Sequence, residues 1–369
     1  MTMILQQETL STAPSGLRRR IFPTELGPVA VRYSAAAGGA RRGSGHTDDA
    51  DVYLHGAAGS WTTFIELLSY PSGRDAVLMD LPGWGESTDG VQPADLSIDA
   101  MARAVTGILD TLGYRRWNLV GHSMGGFLAL HIAATQPERT ASVAAISATT
   151  FGAAEACRRP VRGLLLFPAF AGMLLAMRSM AALGGAGSAL VRGIGRTPLM
   201  RRLMAPFFAD PALVADSVIR GLGDDARPAS FGAAARAVAG YDFSLWRAVR
   251  CPVLATRGDR DVFTPERDLK ELPGLIPQVR LVTIAGSGHF ANIEQPGAVQ
   301  DLLEELQDLP RPSIGQPPSL PALRELQGLP ELPELPELPA NCSSPEPARE
   351  RGLRRGGCAV TPVVLEQRT

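Results

Sequence analysis

The sequence contains few cysteines, and their spacing excludes two kinds of stabilised small domain. The 369 residues include four cysteines, Cys157, Cys251, Cys342 and Cys358, which are widely scattered and form no C-x-x-C pair. A zinc knuckle or a disulfide framework is therefore not expected. Because this cysteine usage is typical of a reducing compartment, we expect a cytoplasmic protein.

An excess of charge of one sign is also missing, as is a long apolar run. Lys and Arg number 36 and Asp and Glu number 37, which argues against a dedicated nucleic-acid surface. The longest apolar run, Gly163 to Met177, contains Pro168 and is shorter than the roughly 18 to 20 residues of a spanning helix. No apolar segment follows a basic N-terminus, so no signal peptide is expected.

The chain does show a regular alternation of apolar strand patterns and helical patterns. Strands are predicted at residues 29–33, 51–54, 76–80, 117–120, 142–147, 252–256 and 279–284. Helices are predicted at residues 97–112, 127–135 and 291–306. This alternation predicts an α/β fold, with a mostly parallel sheet and helices on both of its faces.

Interruptions of the alternation divide the chain into segments. Residues 151–250 are rich in Leu, Met, Phe and Ala without a strand pattern, which predicts a helical cap over the carboxyl edge of the sheet. We expect residues 21–150 and 251–309 to form the core around this cap. Residues 1–20 are predicted to be disordered.

The composition changes again after residue 309. Residues Gly328 to Ala340 repeat Leu-Pro-Glu with a period of three, which favours polyproline II and forbids helix or sheet. We expect residues 310–369 to form a disordered, proline-rich tail. A simple extended spacer is the favoured interpretation, and partner binding is the alternative.

A serine between two glycines is the first candidate for chemistry. In LVGHSMGG, Gly121-x-Ser123-x-Gly125 follows a predicted strand and begins a predicted helix. This is the context of a nucleophile elbow, in which the strained serine projects its hydroxyl above the sheet. The alternative is a glycine-rich turn, but the context favours Ser123 as a nucleophile.

A serine nucleophile needs a base and a carboxylate that orients the base. In chains with such an elbow the three residues follow in the order serine, acid, histidine. Only His131 and His289 come after Ser123, and His131 lies too far along the elbow helix to reach back to the serine. His289, in the glycine-flanked loop AGSGHF, is therefore the predicted base. Two aspartates follow the preceding strand. We favour Asp261 as the acid, and we expect Asp259 to stabilise its own turn.

Attack on a carbonyl creates an oxyanion, which preorganised N–H groups stabilise. The predicted donors are the backbone N–H groups of Met124 and of Ala57, the latter in the glycine-rich segment LHGAAGSW, where His55 is expected to orient the loop. The segment DLPGWGES lacks the third glycine of a dinucleotide fingerprint, and no P-loop lysine motif occurs. No cofactor or metal is expected.

Five segments together resemble the α/β-hydrolase superfamily, in the order that the family shows. They are LHGAAGSW, MDLPGWGES, LVGHSMGG, RGDRDVFTP and GSGHFANIEQP, within residues 21–309. The chain is similar to the capped branch with a serine nucleophile, which includes esterases, lactonases and C–C bond hydrolases. The resemblance implies the catalytic residues Ser123, Asp261 and His289, with Ala57 and Met124 as oxyanion donors. Serine at position 123 counts against the epoxide hydrolases and haloalkane dehalogenases, which use aspartate.

The expected function is the hydrolysis of a carboxylic ester of a hydrophobic small molecule through an acyl-enzyme, with thioesters and lactones as further options. The apolar residues of the cap favour such a substrate. Two alternatives stay open. One is a C–C bond hydrolase that acts on a vinylogous diketone, because the segment HSMGG resembles the nucleophile elbow of such enzymes. The other is a noncatalytic binding protein. Contact of the cap with a membrane surface through Gly163 to Met177 is a further, less favoured hypothesis.

Overall fold

Eight strands form a single sheet in the residues that the structure describes. The computed structural model describes residues 16–34, 49–70 and 74–309. The strands are β1 (Leu17–Thr24), β2 (Gly27–Ser34), β3 (Asp49–Leu54), β4 (Asp75–Met79), β5 (Arg116–His122), β6 (Thr140–Ile146), β7 (Val253–Gly258) and β8 (Val279–Ile284). Their order across the sheet is β1-β2-β4-β3-β5-β6-β7-β8. Strand β2 is antiparallel to both of its neighbours, and the other pairs are parallel.

The predicted fold class is confirmed, and the central strands show why it could be predicted. Successive side chains of β3 enter different cores: Val52 and Leu54 pack on one face of the sheet and Tyr53 packs on the other. Strand β6 is buried along its whole length. A strand buried on both faces has a nearly continuous apolar sequence, which is typical of a parallel sheet covered by helices.

In the part of the chain that the structure describes, five α-helices pack around this sheet outside the cap. They are α1 (Ile98–Leu112), α2 (Met124–Thr135), α10 (Glu266–Glu271), α11 (Ala291–Glu294) and α12 (Pro296–Asp308). Helix α1 begins where the Ser97 side chain accepts the Ala100 N–H at 3.1 Å, and it ends at Gly113 with φ 90°. The predicted helix at 291–306 is two helices, because Pro296 has no N–H to continue the first one.

Between β6 and β7, where the structure describes every residue, the chain forms seven α-helices and no strand. They are α3 (Phe151–Arg158), α4 (Pro160–Leu166), α5 (Pro168–Ala182), α6 (Gly184–Gly195), α7 (Leu199–Met204), α8 (Asp216–Asp224) and α9 (Pro228–Ala239). Helices α4, α5 and α9 each have proline at their first position, where proline favours the beginning of a helix. Among the described residues, no helix combines the length and the apolar character needed to cross a membrane.

One prediction about order is wrong in part. Residues 17–20, which fell within the predicted disordered segment 1–20, lie in β1 and pair antiparallel with β2 from Leu17 opposite Ser34 onward. Three consecutive arginines and a proline obscured this strand, in which Phe22 is the one fully buried side chain. Residues 1–15 and the predicted tail 310–369 lie outside the described residues.

Candidate active site

Ser123 lies at the sharp turn between β5 and α2. Its backbone has φ 53° and ψ −115°, a conformation that costs a non-glycine residue about 1–3 kcal/mol. Its N–H donates to the carbonyl oxygen of Ile146 at 2.9 Å, which ties the turn to the end of β6. The turn therefore holds the Ser123 hydroxyl at the carboxyl edge of the sheet.

The two glycines that flank this serine are required by close backbone contacts. A Cβ atom at Gly121 would lie 2.3 Å from the carbonyl oxygen of Gly125. A Cβ atom at Gly125 would lie 1.9 Å from the carbonyl oxygen of Leu54, in the neighbouring strand β3. Helix α2 can approach the sheet this closely only because both positions lack a side chain.

The loops after β5, β7 and β8 bring three predicted side chains together. Nε2 of His289 lies 3.0 Å from Oγ of Ser123. Nδ1 of His289 lies 3.1 and 3.2 Å from the two carboxylate oxygens of Asp261. The three side chains thus form one hydrogen-bonded chain at the carboxyl edge of the sheet, where parallel α/β folds place their sites.

The carboxylate of Asp261 is held in its ionised form. Burial acts to raise its pKa, but His289 and the groups of Phe263 and Thr264 hold the pKa below its usual value. The N–H groups of Phe263 and Thr264 donate to Oδ1 at 2.7 and 3.0 Å. An ionised Asp261 keeps a proton on Nδ1 of His289, so Nε2 is free to accept one from Ser123.

The two competing candidates from the sequence lie elsewhere. Asp259 is exposed and accepts the N–H of Ser287 at 3.2 Å, so it stabilises the loop as a turn residue. Nδ1 of His131 lies 3.0 Å from the hydroxyl oxygen of Tyr241. Neither side chain takes part in the hydrogen-bonded chain at Ser123.

The two predicted oxyanion donors face the same space. Ala57 and Met124 both line the cavity in front of Ser123. Within the part of the chain that the structure describes, neither backbone N–H donates to an acceptor. Met124 is the first residue of α2, where the N–H groups have no partner inside the helix and attract negative charge.

His55 fixes the loop that carries Ala57. Its Nε2 accepts the N–H of Leu81 at 2.8 Å, so the ring proton is on Nδ1 and is donated to the carbonyl oxygen of Gly56 at 2.8 Å. Burial is the main cause that lowers the pKa of His55, which keeps the ring neutral. Ala58, which follows Ala57, has φ 64°, so the backbone turns sharply directly after the predicted oxyanion donor.

His122 has a role that the sequence analysis missed. Its Nε2–H donates to the backbone carbonyl oxygen of His289 at 2.9 Å, and the two rings meet edge to face. Burial, followed by the neighbouring His289, lowers the pKa of His122 to about 3, so it is neutral. The only signal in the sequence was a histidine directly before Ser123. It positions the loop of His289.

A cavity of about 530 Å³ opens in front of Ser123 and His289, between the sheet edge and the cap. Methionines and phenylalanines dominate its wall, among them Met173, Met177, Met200, Met204, Phe170, Phe207, Phe231 and Phe263. The polar side chains in the wall are those of His122, Ser123, Thr149 and His289. Among the described residues, no Asp, Glu, Lys or Arg lines it.

Comparison with known proteins agrees with this architecture. Residues 52–174 match a family described as alpha/beta hydrolase fold. A 2-hydroxy-6-oxononadienedioate/2-hydroxy-6-oxononatrienedioate hydrolase of Burkholderia vietnamiensis is 35% identical over 131 residues, which are 34% of this chain and 45% of that protein. A 2-hydroxy-6-oxo-6-phenylhexa-2,4-dienoate hydrolase of Burkholderia cepacia is 26% identical over 268 residues, 69% of this chain and 86% of that protein. The chain thus spans less than half of the first relative's length.

Two solved structures extend the fold comparison over most of the described chain. A thermophilic esterase from Thermogutta terrifontis has a TM-score of 0.56 at 22% identity and covers 78% of this chain and 97% of its own. The enol-lactonase from Burkholderia xenovorans has a TM-score of 0.56 at 18% identity and covers 78% of this chain and 99% of its own. The sheet, the elbow and these matches show that the chain has the α/β-hydrolase fold.

Proposed function

We propose that the protein is a serine hydrolase that cleaves carboxylic esters of hydrophobic small molecules. In this proposal Ser123 is the nucleophile, His289 is the general base and Asp261 orients and stabilises the imidazolium. The N–H groups of Ala57 and Met124 bind the oxyanion. The distances of 3.0 Å from His289 to Ser123 and 3.1 Å from His289 to Asp261 support these roles.

The reaction proceeds in two acyl-transfer steps. Nε2 of His289 accepts the hydroxyl proton as Oγ of Ser123 attacks the ester carbonyl, and the resulting oxyanion accepts two backbone hydrogen bonds. Collapse of this intermediate breaks the ester bond, and His289 returns the proton to the departing alcohol. Water then attacks the acyl-enzyme with His289 again as the base, which releases the acid and restores Ser123.

The wall of the cavity is the observation that carries the choice of substrate. It is apolar next to Ser123, and no cationic side chain lines it among the described residues. Transfer of an unpaired carboxylate from water into such surroundings is costly, whereas an alkyl or aryl group gains about 25 cal/mol per Å² of apolar surface buried. A neutral ester with a hydrophobic acyl or alcohol group therefore fits this space.

A second candidate function is the cleavage of a C–C bond in a vinylogous diketone. Its support is the similarity to the two named dienoate and dienedioate hydrolases. Those names denote substrates with one or two carboxylate groups, for which this cavity wall offers no cation among the described residues. We therefore rank ester hydrolysis first.

A panel of p-nitrophenyl esters with increasing acyl length, run beside a phenyl-substituted vinylogous diketone, tests the choice. The expected result is ester hydrolysis that improves as the acyl chain lengthens and is lost in Ser123→Ala. Cleavage of the diketone with no activity on any ester would favour the C–C hydrolase. Inactivity on both, with no reaction of Ser123 with a fluorophosphonate, would favour a binding protein.

A further inference from the structure

The cap concentrates positive charge in a chain that is almost neutral overall. Between Glu155 and Asp210 the sequence contains eight arginines and no lysine, aspartate or glutamate, whereas the formal net charge of the whole chain is −1. This segment holds helices α4 to α7. The charge of the cap is therefore of one sign over four consecutive helices.

Most of this charge is not neutralised by neighbouring carboxylates. Glu155 alone lies within 3.1 to 3.8 Å of three guanidinium groups, those of Arg158, Arg159 and Arg162. Two further arginines have one carboxylate each, Arg196 with Asp224 and Arg201 with Asp216. The remaining three have no carboxylate within 4.0 Å in the described ranges: Arg178, Arg192 and Arg202.

The same helices expose large apolar side chains. On α4, Val161 and Leu165 lie one turn apart and are 77% and 80% exposed. On α7, Leu199 and Leu203 lie one turn apart and are about half exposed. Exposed apolar side chains that cluster in this way, instead of being scattered singly, mark an interaction surface.

This apolar surface borders the opening of the cavity. Four of the described residues line the cavity and are also exposed, which places them at its mouth: Gly172 and Ala176 on α5, Leu203 on α7, and Pro206 just after α7. The exposed Leu175 adjoins Ala176 in the chain, and Leu199 precedes Leu203 by one helical turn. The route to Ser123 therefore starts within the exposed apolar part of the cap.

We propose that the exposed surface of helices α4 to α7 docks on an anionic phospholipid membrane. Its leucines enter the boundary between headgroups and acyl chains, and its arginines bind the lipid phosphates. A second copy of this chain is a poorer partner, because a two-fold contact would place two cationic surfaces against each other. In the docked protein an apolar ester passes from the bilayer to Ser123. This last step rests on the proposed function.

Vesicle flotation of the full chain as Ser123→Ala tests the docking without any turnover. The probes are phosphatidylcholine vesicles with and without phosphatidylglycerol. We expect binding to the anionic vesicles, weakened by salt. The variant Arg162→Gln/Arg192→Gln/Arg202→Gln should bind about a hundredfold more weakly, at roughly fivefold per arginine.

The apolar contribution is measured with a second variant and a matched control. Val161→Ser/Leu165→Ser should bind about tenfold more weakly, since neither residue lines the cavity and both are largely exposed. The control Arg247→Gln/Arg250→Gln/Leu281→Ser changes exposed residues outside helices α4 to α7 and should bind like the parent. Circular dichroism and thermal unfolding verify that each variant folds.

Three results would overturn the proposal. The first is equal binding to neutral and anionic vesicles, and the second is unchanged vesicle binding of both cap variants. The third is a parent protein that does not bind vesicles but forms a dimer, with the dimer lost in the two cap variants. Because the assay measures partitioning alone, a failure of the ester hydrolase function would leave its result intact, and a failure of docking would leave hydrolysis of soluble esters intact.

Discussion

Replacing Asp261 with asparagine should disable the site while its shape is retained. The Oδ1 atom of asparagine still accepts the N–H groups of Phe263 and Thr264, which lie 2.7 and 3.0 Å from it in the native protein. Oδ1 also lies 3.1 Å from Nδ1 of His289, but these two N–H groups already occupy its lone pairs. The NH₂ group, 3.2 Å from Nδ1, is therefore the partner that Nδ1 meets. Because two donors cannot share one hydrogen bond, Nδ1 loses its proton and Nε2 carries it. Nε2 then cannot accept the proton of Ser123.

The loss of the productive tautomer in a serine triad lowers kcat about 10⁴-fold, which corresponds to about 5.4 kcal/mol of transition-state stabilisation. Steady-state hydrolysis of p-nitrophenyl butyrate measures this loss, and thermal unfolding reports whether the fold is kept. Asp259→Asn is the matched control, since the same change at an exposed turn should alter activity by no more than about twofold. Retention of more than about a tenth of the activity in Asp261→Asn, or an equal loss in Asp259→Asn, would contradict the role of Asp261 as the acid.

Three further sets of substitutions test the close packing of α2, the strain at Ser123 and the neutral His122 ring. Gly125→Ala should yield no folded protein, because the new Cβ atom would lie 1.9 Å from the carbonyl oxygen of Leu54. In contrast, Gly107→Ala in α1, where the surrounding space is open, should raise the free energy of unfolding measured in urea by about 0.5–1 kcal/mol. Ser123→Gly should be about 1 kcal/mol more stable than Ser123→Ala, because glycine relieves the strain at φ 53°; equal stabilities would contradict that strain. The pKa of His122 is lowered from 6.5 to about 3, so its contribution to stability is present above pH 6.5 and is lost as the pH falls toward 3. His122→Asn keeps an N–H donor for the carbonyl oxygen of His289. Between pH 3 and 6.5 it should lower the slope of the unfolding free energy against pH by about 1.4 kcal/mol per pH unit. An unchanged slope would contradict a neutral, buried His122 ring.

The parts of the fold that could be predicted are those in which burial dictates the local sequence. Strands β5 and β6 lie in the middle of the sheet, and their apolar sequences identified them directly. Strand β1 has the sequence LRRRIFPT and lies at the edge, where all its side chains except that of Phe22 stay partly or fully exposed. Its conformation depends on pairing with β2, and a single-sequence pattern does not contain that long-range contact.

The candidate site divides in the same way. Chain order selected Ser123 and His289, but the choice between the two aspartates depends on how one loop folds. The guanidinium of Arg257 donates to the carbonyl oxygens of Asp261 and Thr264 at 2.9 Å each, which folds this loop back toward the sheet. Nothing in the local sequence shows these bonds. The contact of His122 with His289 joins residues far apart in the chain, so it too required the structure.

Mapping of a fluorophosphonate adduct by mass spectrometry tests whether Ser123 is the nucleophile of this site. A fluorophosphonate reacts with a serine only where a base removes the hydroxyl proton and N–H groups stabilise the charged transition state. We expect one adduct per chain, on the peptide that contains Ser123, with labelling abolished in Ser123→Ala and strongly slowed in Asp261→Asn. An unlabelled wild-type protein, or an adduct on another residue, would contradict the assignment of Ser123 as the nucleophile.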